Sequence, residues 1–156
     1  MDERVELASA SPDETEAIAR KVGGAACPGD VIALIGDLGA GKTAFVRGLA
    51  AGLGIPPENV ASPTFTMVDE HRGRLPLVHI DLYRIAPGAA DVEALREYAA
   101  ASAVTAIEWF ERLPAGALDA SLRVRIDYAR PGRRLVLEGQ GERARRLLEA
   151  LSGRAP

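Results

Sequence analysis

The stretch VIALIGDLGAGKTAFVRGLA, residues 31–50, decides the fold. It opens with an apolar run that has no polar alternation, which is typical of a strand covered on both faces. It closes in a segment whose apolar residues recur at helical spacing. A glycine-rich turn lies between the two. This order of strand, glycine-rich loop and helix is the setting in which a phosphate-binding loop works.

The loop follows the pattern G-x-x-x-x-G-K-[ST], met by Gly36, Gly41, Lys42 and Thr43. Glycines let backbone N–H groups turn inward around a phosphate, and the start of the next helix adds positive potential. In such loops the lysine reaches the β- and γ-phosphates, and the hydroxyl ligates Mg²⁺. A turn that only caps a helix would not require Lys42 and Thr43. We therefore predict nucleotide and Mg²⁺ binding.

Length and composition limit the number of domains and the class of protein. The chain has 156 residues, 47% of them hydrophobic, which favours one compact domain over 1–156. A formal net charge of -3 disfavours a direct, tight grip on a nucleic-acid backbone. The single cysteine, Cys27, forms no internal disulfide. No signal peptide and no apolar run of membrane-spanning length is visible. A cytoplasmic protein is the expectation.

Periodicity and turn residues predict further elements on both sides of the loop. In chain order these are a helix over 11–22 that Ser11 caps and Gly23-Gly24 ends, a loop-to-strand segment over 61–71, a turn at 72–74, a strand over 75–83, a helix over 91–100, a strand over 103–109, an antiparallel hairpin of 122–128 with 133–139, and a helix over 143–151. The fold class is α/β, a P-loop NTPase fold. It has a central, mostly parallel mixed sheet flanked by helices and a C-terminal antiparallel hairpin.

Two of the apolar strands end in an acid, Asp81 and Glu108. If both strands run parallel to 31–35, both carboxylates face the phosphate loop, because ligands bind at the carboxyl ends of such strands. Mg²⁺ prefers carboxylates, hydroxyls and water. One acid alone serves as readily to cap the next loop, whereas two in a P-loop domain favour the functional interpretation. Which acid ligates Mg²⁺ directly, and which orients the attacking water, stays open.

Three other features each allow a functional and a structural interpretation. Ser62, Pro63 and Thr64 lie where switch loops sense the γ-phosphate or metal, but a plain turn accounts for them as well. Trp109 either packs in the core or offers a contact surface near the site. His79, inside a strand, is predicted to be a packed histidine rather than a base.

The motifs narrow the class of P-loop protein. GTPases are disfavoured, because the chain lacks Asn-Lys-x-Asp and because no glycine of an Asp-x-x-Gly switch follows Asp81. A small-molecule kinase fits the length, although no arginine-bearing lid can be assigned. A nucleotide-dependent binding module, in which hydrolysis is incidental, also stays open.

The segments GDLGAGKTAFVRGLA, SPTFTMVDEH, HIDLYRI and IEWFERLP, in this order and at these separations, carry a family resemblance. The chain resembles the tRNA threonylcarbamoyladenosine biosynthesis ATPase family, TsaE, over residues 11–139. The resemblance implies a small Mg²⁺-dependent P-loop ATPase that binds ATP and ADP and works with the TsaD–TsaB complex. By the same resemblance, TsaD would transfer the threonylcarbamoyl group to the adenine beside the anticodon, and ATP hydrolysis would reset the complex. The tRNA would be held mainly by the partner.

The resemblance also implies roles for single residues. The nucleotide-binding loop would comprise Asp37, Leu38, Gly39, Ala40, Gly41, Lys42, Thr43 and Ala44. Thr43 and Glu108 match the Mg²⁺ ligands, and Asp81 the second acid near the phosphates. Lys42, Asp81 and Glu108 would carry catalysis. Switch or partner roles fall to Ser62, Pro63, Thr64 and Trp109. Thr15 matches a residue near the base, and Arg133 an arginine near the nucleotide.

Three positions depart from the family pattern. Ala44 replaces a frequent second hydroxyl, so we expect somewhat weaker nucleotide binding. Phe110 stands where proline often follows the tryptophan, and His71 where tyrosine often ends the switch strand. Both would alter the partner surface. No arginine finger is evident, so Arg84 or a partner group would serve, and we expect hydrolysis to be slow without partners.

Overall fold

The computed structural model describes residues 2–61, 67–86, 88–99 and 102–152. The helices and strands formed by these residues are, in chain order, β1 (Asp2–Ser9), α1 (Pro12–Ala25), β2 (Val31–Ile35), α2 (Lys42–Gly52), β3 (Val68–His71), β4 (Leu77–Asp81), α3 (Val92–Ala99), β5 (Val104–Glu108), β6 (Leu122–Tyr128), β7 (Arg133–Gln140) and α4 (Gly141–Glu149). Single 3-10 turns occur at Pro57–Asn59, Phe110–Arg112 and Ala150–Ser152.

All these strands form one sheet in the order β1-β7-β6-β2-β5-β4-β3. The four central strands, β6, β2, β5 and β4, are parallel to their neighbours within that group. The outer strands β1, β7 and β3 pair antiparallel with the strands beside them. The predicted α/β class with a mixed sheet and a C-terminal hairpin is confirmed. No helix in the described ranges is both long enough and apolar enough to cross a membrane.

The central strand β2 is buried along nearly its whole length, as its unbroken apolar run predicts. Ile32 and Leu34 face a core that contains side chains of α1, α2 and α4. Val31 and Ala33 face a second core, to which α3 contributes. Successive side chains of a strand point to opposite faces, so this one short run anchors helices on both sides of the sheet.

Helix α1 is longer than predicted. Ser11 caps it, since its Oγ accepts from the Glu14 N–H at 3.1 Å. The helix then continues through Gly23 to Ala25, so the predicted stop at Gly23-Gly24 is wrong. Gly23 lies against α2, where a Cβ would come 2.4 Å from the Leu49 carbonyl oxygen. The glycine allows two helices to approach closely; it does not end one.

Strand β1 was not predicted at all. Its side chains alternate between exposed and half-buried, and only Val5 and Leu7 reach the first core. An edge strand in which half of the residues are charged gives a weak periodic signal, and its pairing with β7 along its whole length supplies the order. At the other end of the chain, α4 begins at Gly141, earlier than predicted.

A buried acid fastens α4 to the turn before β2. The Asp30 carboxylate is 0% exposed. It accepts from Arg143 at 2.7 Å, from Arg146, and from the Cys27 backbone N–H at 2.8 Å. Because a buried carboxylate is tolerated only when it is paired and hydrogen-bonded, this cluster holds the C-terminal helix beside the strand that leads into the glycine-rich loop.

Candidate nucleotide-binding site

The glycine-rich loop joins the carboxyl end of β2 to the first turn of α2. Gly39 and Gly41 have φ values of 78° and 118°, in the left-handed region that favours glycine. Helical hydrogen bonding then begins, with the Phe45 N–H donating to the Gly41 carbonyl at 3.0 Å. The loop backbone therefore sits at the positive end of α2, where an anion is stabilised.

Lys42 is folded back onto this loop. The residue is 4% exposed. Its Nζ donates to the backbone carbonyls of Gly36 and Asp37, the latter at 2.9 Å. The same Nζ lies 4.0 Å from the centroid of the Trp109 ring, a cation–π contact. In the free protein, carbonyl dipoles and an aromatic face solvate the ammonium.

Burial lowers the pKa of Lys42, because removal from water disfavours the charged ammonium. The carboxylates around it act in the opposite sense and raise the pKa; in order of size they are Glu111, Glu108, Asp81 and Asp37. The net direction is downward. A polyanion next to Nζ would favour the charged form, so the site is electrostatically matched to phosphate.

The two predicted acids stand side by side. Asp81 and Glu108 are direct partners in the β4–β5 register and are 7% and 3% exposed. The Thr43 hydroxyl lies 3.1 and 3.2 Å from the two carboxylate oxygens of Glu108. The Asp81 Oδ1 accepts from the Tyr83 N–H at 2.8 Å. Parallel pairing has thus brought both acids to the carboxyl edge of the sheet, beside the loop.

A cavity of about 410 Å³ opens at this edge. Its wall includes most of the residues to which the sequence assigns chemistry, namely Lys42, Thr43, Asp81, Arg84, Glu108 and Trp109. The cavity therefore offers an ammonium, a hydroxyl and two carboxylates to one ligand. Leu38, at the tip of the loop, is 65% exposed and also reaches its rim.

A second cavity of about 110 Å³ adjoins the loop on its α1 side. Thr15 and Arg133, the two residues assigned by resemblance alone, both line it. The Thr15 hydroxyl is buried, 2.7 Å from the Ser9 hydroxyl. Ala44 borders both cavities, so the two recesses share a wall of the loop and α2.

Arg133 supports the loop from β7. Its Nε donates to the Ala40 carbonyl at 3.0 Å, and its Nη2 reaches the Gly39 carbonyl at 3.4 Å. Its guanidinium lies 4.2 Å from the centroid of the Tyr128 ring. The Tyr128 hydroxyl in turn donates to the Leu38 carbonyl at 2.8 Å. Two neighbouring side chains of the C-terminal hairpin thus set the outer shape of the phosphate loop.

The sequence left two alternatives for Trp109, packing in the core or a contact surface near the site, and the residue does both. It has a left-handed backbone with φ of 61°, and it is half-buried against the second core. Its ring also contacts Tyr83, at 5.1 Å between centroids, and the guanidinium of Arg112 at 5.3 Å. With Lys42 on it as well, the indole belongs to the cavity wall as much as to the core.

Sequence reasoning missed the contact of His79 with the site. The prediction of a packed side chain is right, since His79 is 0% exposed. However, its Nε2 lies 2.5 Å from the Glu108 Oε2. The sequence feature that could have indicated this contact is the spacing of His79 and Asp81. Residues two apart in a strand lie on the same face, so His79 faces the same side of the sheet as Asp81.

The other positions singled out in the sequence are the segment 62–64 and the three departures from the family pattern. Ser62, Pro63 and Thr64 lie outside the described residues. Of the three departures from the family pattern, Ala44 is buried at the cavities, Phe110 packs in the second core, and His71 is half-buried in β3.

A family model described as "Threonylcarbamoyl adenosine biosynthesis protein TsaE" matches residues 9–136. The chain belongs to the TsaE family. Family members with the name tRNA threonylcarbamoyladenosine biosynthesis protein TsaE match along most of their length. The one from Bacillus subtilis is 42% identical over 91% of this chain and 90% of its own. The one from Haemophilus influenzae is 36% identical over 78% of each chain.

A solved structure agrees with this membership of TsaE. The crystal structure of Bacillus subtilis YdiB superposes with a TM-score of 0.76 at 35% identity, covering 97% of this chain and 96% of that one. The fold and the resemblance predicted from the sequence are therefore confirmed. As a member of the TsaE family, the chain is a protein of threonylcarbamoyladenosine biosynthesis.

Proposed function

We propose that the chain binds ATP with Mg²⁺ in the larger cavity and hydrolyses it, and that hydrolysis resets the TsaD–TsaB transferase for another round of tRNA modification. One observation carries the proposal. The Thr43 hydroxyl meets both oxygens of Glu108, at 3.1 and 3.2 Å, beside the buried Lys42 ammonium. This juxtaposition of loop hydroxyl, strand-end acid and lysine is what phosphoryl chemistry in P-loop proteins uses.

The residues present fit Mg²⁺. Thr43 and Glu108 offer a hydroxyl and a carboxylate, and Asp81 adds a second carboxylate from the adjacent strand. These are hard oxygen ligands, and Mg²⁺ is commonly held by one or two carboxylates together with substrate phosphates and water. We assign Thr43 and Glu108 to hold the ion. When bound, Mg²⁺ neutralises charge on the phosphate oxygens.

The protein's own groups supply the rest of the site. The loop N–H groups and the start of α2 bind the phosphates. Lys42 exchanges the carbonyls of Gly36 and Asp37 for the β- and γ-phosphates, where it stabilises charge that develops during transfer. Asp81, on the same cavity wall as Glu108, orients the attacking water. Arg84 lines the cavity as well, and we assign to it, or to a partner group, the role of an arginine finger.

The smaller cavity takes the nucleoside. Thr15 and Arg133 line it, on the side of the loop away from the acids. ADP, the product, keeps the contacts to this recess and to the loop. It loses those of the γ-phosphate, so the loss of that phosphate is the signal that a partner would read.

The partner part of the proposal rests on the family. TsaE proteins carry the name of the tRNA modification, which supports a role in that pathway. The transferase TsaD and its companion TsaB are the partners that we propose within it. A net charge of -3 fits indirect contact with tRNA. Residues 62–64 and Trp109 are the proposed switch and partner elements.

The test is ATP hydrolysis by the purified chain, alone and with its cognate TsaD and TsaB at matched concentration. Partners are expected to stimulate hydrolysis. Lys42→Ala and Glu108→Gln should each lower the rate by about 10²- to 10³-fold, the usual effect of removing a charge-stabilising group. Glu142→Gln is the matched control, because Glu142 on α4 is 90% exposed and pairs with Arg145.

The alternatives give different results. Phosphoryl transfer to an acceptor other than water would indicate a small-molecule kinase. Full tRNA modification by Glu108→Gln, with hydrolysis abolished, would indicate a binding module. Absence of stimulation together with absence of an effect on modification would overturn the resetting role.

A further inference from the structure

His79 is a polar side chain in the middle of an apolar strand. It lies in β4 between Val78 and Ile80 and is 0% exposed. A buried imidazole is tolerated when it is hydrogen-bonded, and the partner of this one is Glu108, at 2.5 Å between Nε2 and Oε2. The histidine therefore contacts the acid that faces the Thr43 hydroxyl.

Sheet register explains the contact. His79 pairs with Ala106 in the parallel β4–β5 ladder, and Asp81 pairs with Glu108. Since strand side chains alternate, His79, Asp81 and Glu108 point to the same face as Leu77 and Ala106, which belong to the core packed under α2. His79 is a diagonal neighbour of Glu108, one step deeper in the sheet and away from the cavity.

The hydrogen bonds available to the imidazole of His79 determine which ring nitrogen carries the proton. The Nδ1 of His79 is buried and meets no hydrogen-bond partner among the described residues. A proton on Nδ1 would leave a buried donor unsatisfied, which is costly. The proton thus belongs on Nε2, which donates it to the Glu108 carboxylate, and Nδ1 keeps only a lone pair.

We propose that His79 is a positioning residue for the Mg²⁺ end of the site, an inference that rests on the proposed function. The Nε2–H of His79 holds one carboxylate oxygen of Glu108 from below. The carboxylate is then fixed in the rotamer that presents it to Thr43 and the cavity. A glutamate without this support has three rotatable bonds with which to turn away. Outer partners that orient a metal-binding group commonly change metal affinity by about 10- to 100-fold.

Two substitutions separate positioning from packing. His79→Leu fills the space but donates nothing. His79→Gln places an amide N–H near the former Nε2 and keeps the donor. The matched control is Thr105→Val, which also removes a buried polar atom without a partner in the described part of the chain, but on β5 and away from Glu108.

The measurement is ADP binding by calorimetry, across a Mg²⁺ titration and again in EDTA. His79→Leu is expected to raise the Mg²⁺ concentration for half-maximal enhancement of ADP binding by about 10- to 100-fold. His79→Gln should recover most of that shift, and Thr105→Val should show none. Affinity in EDTA should stay within about two-fold of wild type in all three, because the loop that binds the phosphates is unchanged.

The inference is overturned if His79→Leu leaves the Mg²⁺ requirement unchanged, or if it weakens binding equally in EDTA. If the leucine variant does not fold, His79→Asn replaces it, since the asparagine amide is polar but too short to reach Glu108. Failure of the proposed function looks different. In that case the wild-type chain itself would show no Mg²⁺-dependent ADP binding.

Discussion

The Lys42 ammonium lies 4.0 Å from the centroid of the Trp109 ring. This contact joins the loop lysine to the residue that follows the strand-end acid Glu108. The contact occupies the same ammonium that would bind the phosphates under the proposed function. Under the proposed function, the phosphates and the indole would compete for this one ammonium, and the indole would report the position of Lys42.

Nucleotide binding is expected to change the fluorescence of Trp109. As Nζ moves to a phosphate, the ring loses its cation, and the emission should shift in a saturable way with added Mg²⁺ and ADP. Trp109 is the only tryptophan of the sequence, so the signal has one source. Trp109→Phe serves as the silent control. Binding that calorimetry detects while the emission stays constant would refute the competition.

The lowered pKa of Lys42 predicts a pH dependence of stability. Burial holds this pKa below the ordinary 10.5, so between the folded value and 10.5 the unfolded chain binds more protons than the folded one. The free energy of unfolding of wild type should then rise with pH in that window relative to Lys42→Met, which lacks the group. Urea denaturation without nucleotide, from neutral pH to pH 10.5, measures it. A difference that stays flat or falls would contradict the assignment.

Arg133→Ala is expected to weaken ADP binding about ten-fold. Its guanidinium holds the Ala40 carbonyl at 3.0 Å, and charge-assisted hydrogen bonds of this kind are worth about 1.5–3 kcal/mol. Without this hydrogen bond the ligand would have to order the glycine-rich loop, and that cost would reduce its affinity. Arg134→Ala is the matched control, because Arg134 is the next residue of β7 but pairs with Glu6 on the exposed face. Equal affinities for both variants would exclude the bracing role.

Asp30→Asn is expected to lower the free energy of unfolding by about 3 kcal/mol, because removing one partner of a buried ion pair leaves the others uncompensated. Arg143 and Arg146 are partly exposed, at 49% and 34%, which keeps the cost from being larger. Chemical denaturation gives the value. Glu93→Gln, which breaks an exposed pair with Arg96, should change it by less than about 0.5 kcal/mol. Similar losses for both variants would mean that the Asp30 cluster does not fasten α4.

The sequence carried the parts of the site that depend on local order. An apolar run, a glycine-rich turn and a helical repeat predicted β2, the loop and α2. The acids at the ends of β4 and β5 followed from a rule about parallel strands. These features depend on residues that are close together in the sequence, and residue periodicity detects that kind of order.

What the sequence did not disclose depends on contacts between distant segments. The sequence predicted a helix end at Gly23, because glycine commonly ends helices. Its actual role, the close approach to Leu49, exists only after α1 and α2 pack. The side chain of Arg133 meets Ala40 across 93 positions, and only family resemblance suggested its role. His79 and Glu108 are 29 positions apart, and a cross-strand diagonal joins them. Each pairing is a tertiary choice that composition and spacing leave undetermined.

The close approach of α1 and α2 has a mechanical consequence. At Gly48 a Cβ would come 2.3 Å from the Glu16 carbonyl oxygen, and at Gly52 one would come 2.4 Å from that of Arg20, so the two helices touch backbone to backbone. Helix α1 carries Thr15 of the smaller cavity, and α2 carries Lys42 and Thr43 of the larger. Because backbone lies against backbone at these glycines, the two helices are held at a short, fixed separation. The distance between the two cavities therefore depends on the absence of a Cβ at Gly48 and Gly52.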